Sequence, residues 1–158
     1  MEPRLDPFAS PLIGKVFKHL IAANKPIADS TLPYAVQELV RMRASQINGC
    51  GACLDMHYKE AVHAGEDPVR LALVAAWRET DVFTDAERAA LELAEEGTRL
   101  ADAAGGVSDE VWENAAKHYD EEQMAALVSL ISLINAFNRA NVMIRQPGGG
   151  YQVGMYGH

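Results

Sequence analysis

The stretch "MAALVSLISLINAF", Met124 to Phe137, is apolar around most of a helical circumference, and a helix of that kind must be covered on several sides. It sets the folding problem for the whole chain. Either other elements pack around this rod as a central helix, or part of it is offered to another subunit. At 14 residues, with Ser129, Ser132 and Asn135 inside it, it falls short of the roughly 20 apolar residues that cross a bilayer.

The remaining sequence supplies helices to surround it. "LIGKVFKHLIAANK", Leu12 to Lys25, puts Ile13, Val16, Phe17, Leu20 and Ile21 at helical spacing and should end before Pro26. "STLPYAVQELVRMRASQI" follows, with Ser30 or Thr31 as cap and Val36, Leu39, Val40 and Ile47 as its stripe, stopping at Asn48-Gly49. A third helix should run from about Gly51 to Ala64, with Gly65 at its end and Asp67-Pro68 opening a fourth, "PVRLALVAAWRET". Thr84 and Ser108 are placed to cap two more, and the last should run from Asp120 to Ile144. No segment alternates apolar and polar residues between turn pairs. The expected class is therefore all-α, one domain over 1–158 with about six to seven helices and irregular termini at 1–11 and 146–158.

A length of 158 residues, 49% of them apolar, suits one compact domain. Lys and Arg number 14 against 22 Asp and Glu, a net charge of -8 that repels polyanions. Nucleic acid and anionic membrane surfaces are not expected partners. The start, "MEPRLDPFASPLIG", carries acids and prolines where a secretory leader needs a basic, then apolar, run. A cytoplasmic protein is expected, and there a pair of cysteines points to redox chemistry or a metal before a structural disulfide.

The only two cysteines stand in "INGCGACLDMHYKEA", residues 47 to 61. On a helix Cys53 lies about 60° from Cys50, and His57 about 40° from Cys53, so the three side chains share one face. The breaker pair before Cys50 puts that thiol at a helix start, where unpaired N–H groups favour a thiolate. A second thiol in reach can close a disulfide after the first is oxidised. His57 can move the thiol proton, given a carboxylate to set its tautomer. Spacing leaves Glu60 and Glu38 both open for that part, Glu60 being the one that periodicity favours as a solvated neighbour. Two thiolates and an imidazole could instead hold zinc, although no fourth ligand is evident among His19, His63, His118 and His158. Trp77 and Trp112 read as core or interface packing, and Asn135, Asn138, Arg139 and Asn141 as structural or interface hydrogen bonds.

The run from Glu38 to His57, "ELVRMRASQINGCGACLDMH", resembles the core motif of the AhpD-like alkylhydroperoxidases of the carboxymuconolactone decarboxylase superfamily. The likeness continues through "AAWRETDVFTDAERAALELAE", residues 75–95, and so covers about half the chain. It implies a thiol-dependent peroxidase acting on organic or hydrogen peroxide. Cys53 would be the peroxidatic thiol, Cys50 the resolving one, His57 the proton carrier and Glu38 the base that orients it. Ala52 stands where well-studied members carry a second histidine. The resemblance further implies no cofactor, a thioredoxin-like or lipoyl dithiol as reductant, and a homo-oligomer: dimer, trimer or hexamer. The other readings are a disulfide oxidoreductase, a redox-sensing helical module without peroxidase turnover, a zinc protein, or a lactone decarboxylase.

Overall fold

A computed structural model describes residues 2–7 and 9–155. Met1, Phe8 and residues 156–158, which belong to the expected irregular termini and include His158, lie outside the described residues. The described chain is all-helical. It forms α1 (Pro11–Ala28), α2 (Tyr34–Asn48), α3 (Gly51–His63), α4 (Pro68–Ala72), a 3₁₀ segment (Leu73–Glu79), α5 (Asp85–Thr98), α6 (Asp109–Ala116) and α7 (Glu121–Ile144), with no strand among the described residues.

Helix boundaries follow local chemistry. Gly49 closes α2 in the left-handed conformation at φ 66°, which costs a residue without Cβ little. Thr84 and Glu87 form a reciprocal capping box at α5, and Asp120 and Gln123 form another at α7. Asp67 accepts from the Val69 N–H at the start of α4, and Ser108 from Val111 N–H at the start of α6.

Three expectations are corrected. First, α1 runs through Pro26 to Ala28. Both Pro26 and Ala22, whose carbonyl loses its intrahelical donor, are exposed, so water can serve that carbonyl, and the added turn carries Ile27 into the core at 5% exposure. Second, neither Ser30 nor Thr31 caps α2, whose cap position is Pro33. Ser30 Oγ is spent on the preceding turn, donating to Ile27 O and accepting from Leu32 N–H. Third, "PVRLALVAAWRET" is not one α-helix: it tightens into the 3₁₀ segment and leaves helical geometry at Ala76. Its buried residues Leu71, Val74 and Trp77 recur every three positions, the period of a 3₁₀ helix.

Helices α2 and α7 form the centre: α2 packs on α7, α5 and α3, while α7 also receives α1. One cluster joins Val36 and Val40 of α2 to Leu93, Tyr119, Leu127 and Leu130. A second joins Leu39 and Met42 to Leu71, Trp77, Phe83 and Leu91. The long apolar α7 is thus the central helix, but it is not covered all round. Ala125, Val128, Ser129 and Ser132 are exposed, and part of that side opens into a cleft against Leu20, Ala23 and Pro26 of α1. Val16 and Ile21, two of the apolar residues at helical spacing in α1, are exposed as well, as is Leu12 before them. Trp77 is buried in the core, whereas Trp112, read with it as core or interface packing, is 44% exposed and so is not core.

Candidate functional site

The turn between α2 and α3 builds the site. After Gly49 the chain is extended at Cys50, whose N–H donates to Ser45 O and whose Sγ accepts the N–H of Cys53 at 3.3 Å. Cys50 is thereby the N-cap of α3, as Asn48-Gly49 foretold. The two cysteines are joined as a disulfide with their Cα atoms 5.4 Å apart, and both are buried, packed with Ala44 of α2 and Ile134 of α7. Asn141 of α7 brings its amide Nδ2 to 3.5 Å from Cys53 Sγ.

His57 sits one turn beyond Cys53 and is itself buried. Its Nδ1 meets Glu38 Oε2 at 3.0 Å. Glu38, 3% exposed, has its other oxygen on the Arg41 guanidinium, which also donates to Asn24 Oδ1 and Gln37 Oε1. Burial pushes the Glu38 carboxyl up, but His57 and Arg41 outweigh it and hold the group below the usual carboxylate range. A charged carboxylate cannot donate, so Nδ1 of His57 carries the proton, and a neutral ring then offers Nε2 as a base. Tyr34, beside Glu38, has its pKa pushed up to about 12 by burial and then by that carboxylate's charge, so it stays neutral.

The structure thus brings Glu38 onto His57, one turn from the joined Cys50 and Cys53, and engages Glu60 with the C-terminal segment. Glu60 is not a solvated charge: it accepts from the Tyr151 hydroxyl and, at 2.9 Å, from Gly154 N–H. Burial and Glu60 raise the Tyr151 phenol well above its ordinary value. The C-terminal segment, expected to be irregular, packs on α3 through residues 148–154. Asp55 Oδ2 accepts the N–H groups of Gly149 and Tyr151 at 2.7 and 2.9 Å, and Lys59 pairs with Asp55 and donates to Tyr151 O. Gly148 must be glycine for this approach, since a Cβ there would stand 2.5 Å from Gly51 O. The segment therefore lies against the first turn of α3, where Gly51 and Ala52 stand between the two cysteines.

Four neighbours of the site were not singled out as functional from sequence: Arg41, Asn141, Asp55 and Tyr151. Arg41 left a signal, a guanidinium three residues after Glu38 on a helix with an apolar stripe. Asn141 left another, since Asn135, Asn138 and Asn141 recur every three residues along α7. Among the described residues no group of three or more His, Cys, Asp or Glu side chains is arranged to hold a metal ion.

The carboxymuconolactone decarboxylase family model matches residues 14–96, which contain the whole site except Asn141 and the C-terminal segment. The chain is 38% identical over 125 residues to the uncharacterized YdfG of Bacillus subtilis, covering 79% of this chain and 84% of that one. An Agrobacterium tumefaciens protein of unknown function, for which the antioxidant defence role of AhpD has been suggested, superposes with a TM-score of 0.86 at 32% identity, over 95% of this chain and all of that one. The debrominase Bmp8 superposes with a TM-score of 0.75 at 21% identity over 89% of this chain and 73% of its own, which is a likeness of fold alone. With a match over more than half its length and this agreement in shape, the chain belongs to the carboxymuconolactone decarboxylase family, on its AhpD-like side.

Proposed function

We propose that the chain is a thiol-dependent peroxidase that reduces organic or hydrogen peroxide through Cys53 and Cys50. The observation that carries the reading is a buried carboxylate–imidazole pair, Glu38 and His57, one turn from a cysteine pair that closes as a disulfide. In the reduced protein Cys53 gives up its proton to His57, and Glu38 supports the charge that forms there. The thiolate attacks the near oxygen of the peroxide, the O–O bond breaks, and the leaving alkoxide takes the proton back from His57 to leave as alcohol, or as water when the substrate is hydrogen peroxide. Cys53 is then a sulfenic acid. The Cys50 thiolate attacks its sulfur, hydroxide leaves and is protonated to water, and the disulfide forms.

An external dithiol, thioredoxin-like or lipoyl, returns two electrons and two protons to complete the cycle. The reading includes a cytoplasmic setting and a homo-oligomer, the latter supported by the open apolar side shared by α1 and α7.

Steady-state peroxide consumption with a panel of small and protein dithiols tests it. Wild type should turn over, and Cys53→Ser should fall to the uncatalysed rate. An unchanged rate in that variant would sink the proposal. Disulfide exchange with no peroxide turnover under any dithiol would favour an oxidoreductase instead.

A further inference from the structure

The donors around the two sulfurs are unequally shared. The N–H at the start of α3 that could serve a thiolate belongs to Cys53, and it is spent on Cys50 Sγ. The helix start therefore serves the sulfur of Cys50, the thiol read as resolving, and gives Cys53 nothing from its own backbone. Cys53 is buried and packs with Ala44 and Ile134, and burial among apolar groups raises a thiol. One side chain from another element offers it a polar hydrogen, the Asn141 amide at 3.5 Å.

Asn141 is held there by the residues before it on α7. The Asn48 amide, just ahead of the Gly49-Cys50 turn, donates to Asn135 Oδ1 and Asn138 Oδ1, both at 2.9 Å. Asn138 donates in turn to Ser45 Oγ at 3.0 Å, and Asn135 to Thr98 Oγ1 at 3.1 Å. These bonds are buried or nearly so, and they fix the register of α7 against the end of α2. With Asn138 pinned to Ser45, the next residue of the series falls beside Cys53.

We propose that Asn141 is a catalytic residue whose amide donates to the Cys53 thiolate and lowers its pKa, giving the attacking thiol the stabilisation that the helix start gives to Cys50. The proposal rests on the reading of Cys53 as the attacking thiol. A hydrogen bond to a charged acceptor is worth more than one between neutral groups, so its loss should move the thiol midpoint by about one pH unit. At a pH below both midpoints that is about a tenfold loss of thiolate.

The test uses the full chain carrying Cys50→Ser, so that Cys53 is the one thiol, and follows its ionisation by ultraviolet thiolate absorbance across pH. Asn141→Leu should raise the midpoint by about one unit, and Asn141→Asp should raise it further, because a second negative charge then faces the sulfur. Circular dichroism and melting identify the variants that fold. If the leucine variant fails to fold, the aspartate variant decides alone. A purely structural Asn141 would change melting and leave the midpoint in place. A midpoint that stays or falls in a folded variant overturns the proposal. Because this readout needs no peroxide, a parent protein with no turnover but a movable midpoint would refute the peroxidase reading and leave Asn141 standing.

Discussion

Glu38 and Glu95 are both glutamates sunk in a helical interior, 3% and 4% exposed, and both carboxyls are held below the usual range. Their partners make them different devices. Glu95 is surrounded by fixed donors: Arg43 Nε at 2.6 Å, Trp77 Nε1 at 3.0 Å and Arg78 Nη1 at 2.5 Å, with Arg99 a little farther off. No partner there can change its charge near neutral pH. The clamp ties the 3₁₀ segment to α5 and α2, and Arg78 and Arg88 cover the Trp77 ring at 4.0 and 5.1 Å. Glu38 divides its oxygens between one fixed cation, Arg41, and one titratable ring, His57. A buried carboxylate saturated by guanidinium groups joins helices, and one that shares itself with an imidazole can support proton transfer.

The comparison can be broken from either side. Glu38→Gln keeps the shape and removes the charge behind His57, so peroxide turnover should fall by about 10²- to 10⁴-fold, the range for a disabled acid–base group. Its cost in stability should be smaller than at Glu95, because Arg41 keeps Asn24 and Gln37 as neutral acceptors. Steady-state rates beside urea melts would separate the two effects, and a stability loss with an unchanged rate would make Glu38 a second clamp.

Glu95→Gln should do the reverse. Removing one charge from a buried, multiply paired cluster costs about 3–5 kcal/mol, with the turnover per folded molecule preserved. The loss should also depend on pH. The folded carboxyl is depressed, by Arg78, Trp77 and Arg43 acting against the upward push of burial. Its contribution is therefore present in full above the ordinary glutamate range near 4.5 and fades as pH falls through and below it. Denaturant melts of wild type and Glu95→Gln should differ most at neutral pH and converge in acid. A pH-independent gap would mean that the carboxylate's charge is not what holds the clamp.

How much of this was legible from sequence follows from the range of the forces involved. The caps at Thr84, Ser108 and Asp67 and the stop at Gly49 are set within a few residues, and they stand where the sequence put them. Pro26 and the 3₁₀ turn through Trp77 were misread because burial of Ile27 and Trp77 by distant elements overrode local preference. Within the site, spacing put Cys50, Cys53 and His57 on one face of α3. It did not separate Glu38 from Glu60, since the one is brought in by a hairpin and the other is taken by a segment some 90 residues later. Asn141 was visible as a polar break in an apolar helix, but its partner 88 residues away was not.

The most direct test of the central claim is a single turnover. Fully reduced protein is mixed with one equivalent of peroxide in the absence of any dithiol, and free thiols and remaining peroxide are both counted. The account predicts that both thiols are lost for each peroxide consumed, in wild type, and that Cys53→Ser retains its one thiol and leaves the peroxide untouched. Peroxide loss with both thiols intact, or equal loss in the Cys53→Ser protein, would contradict it.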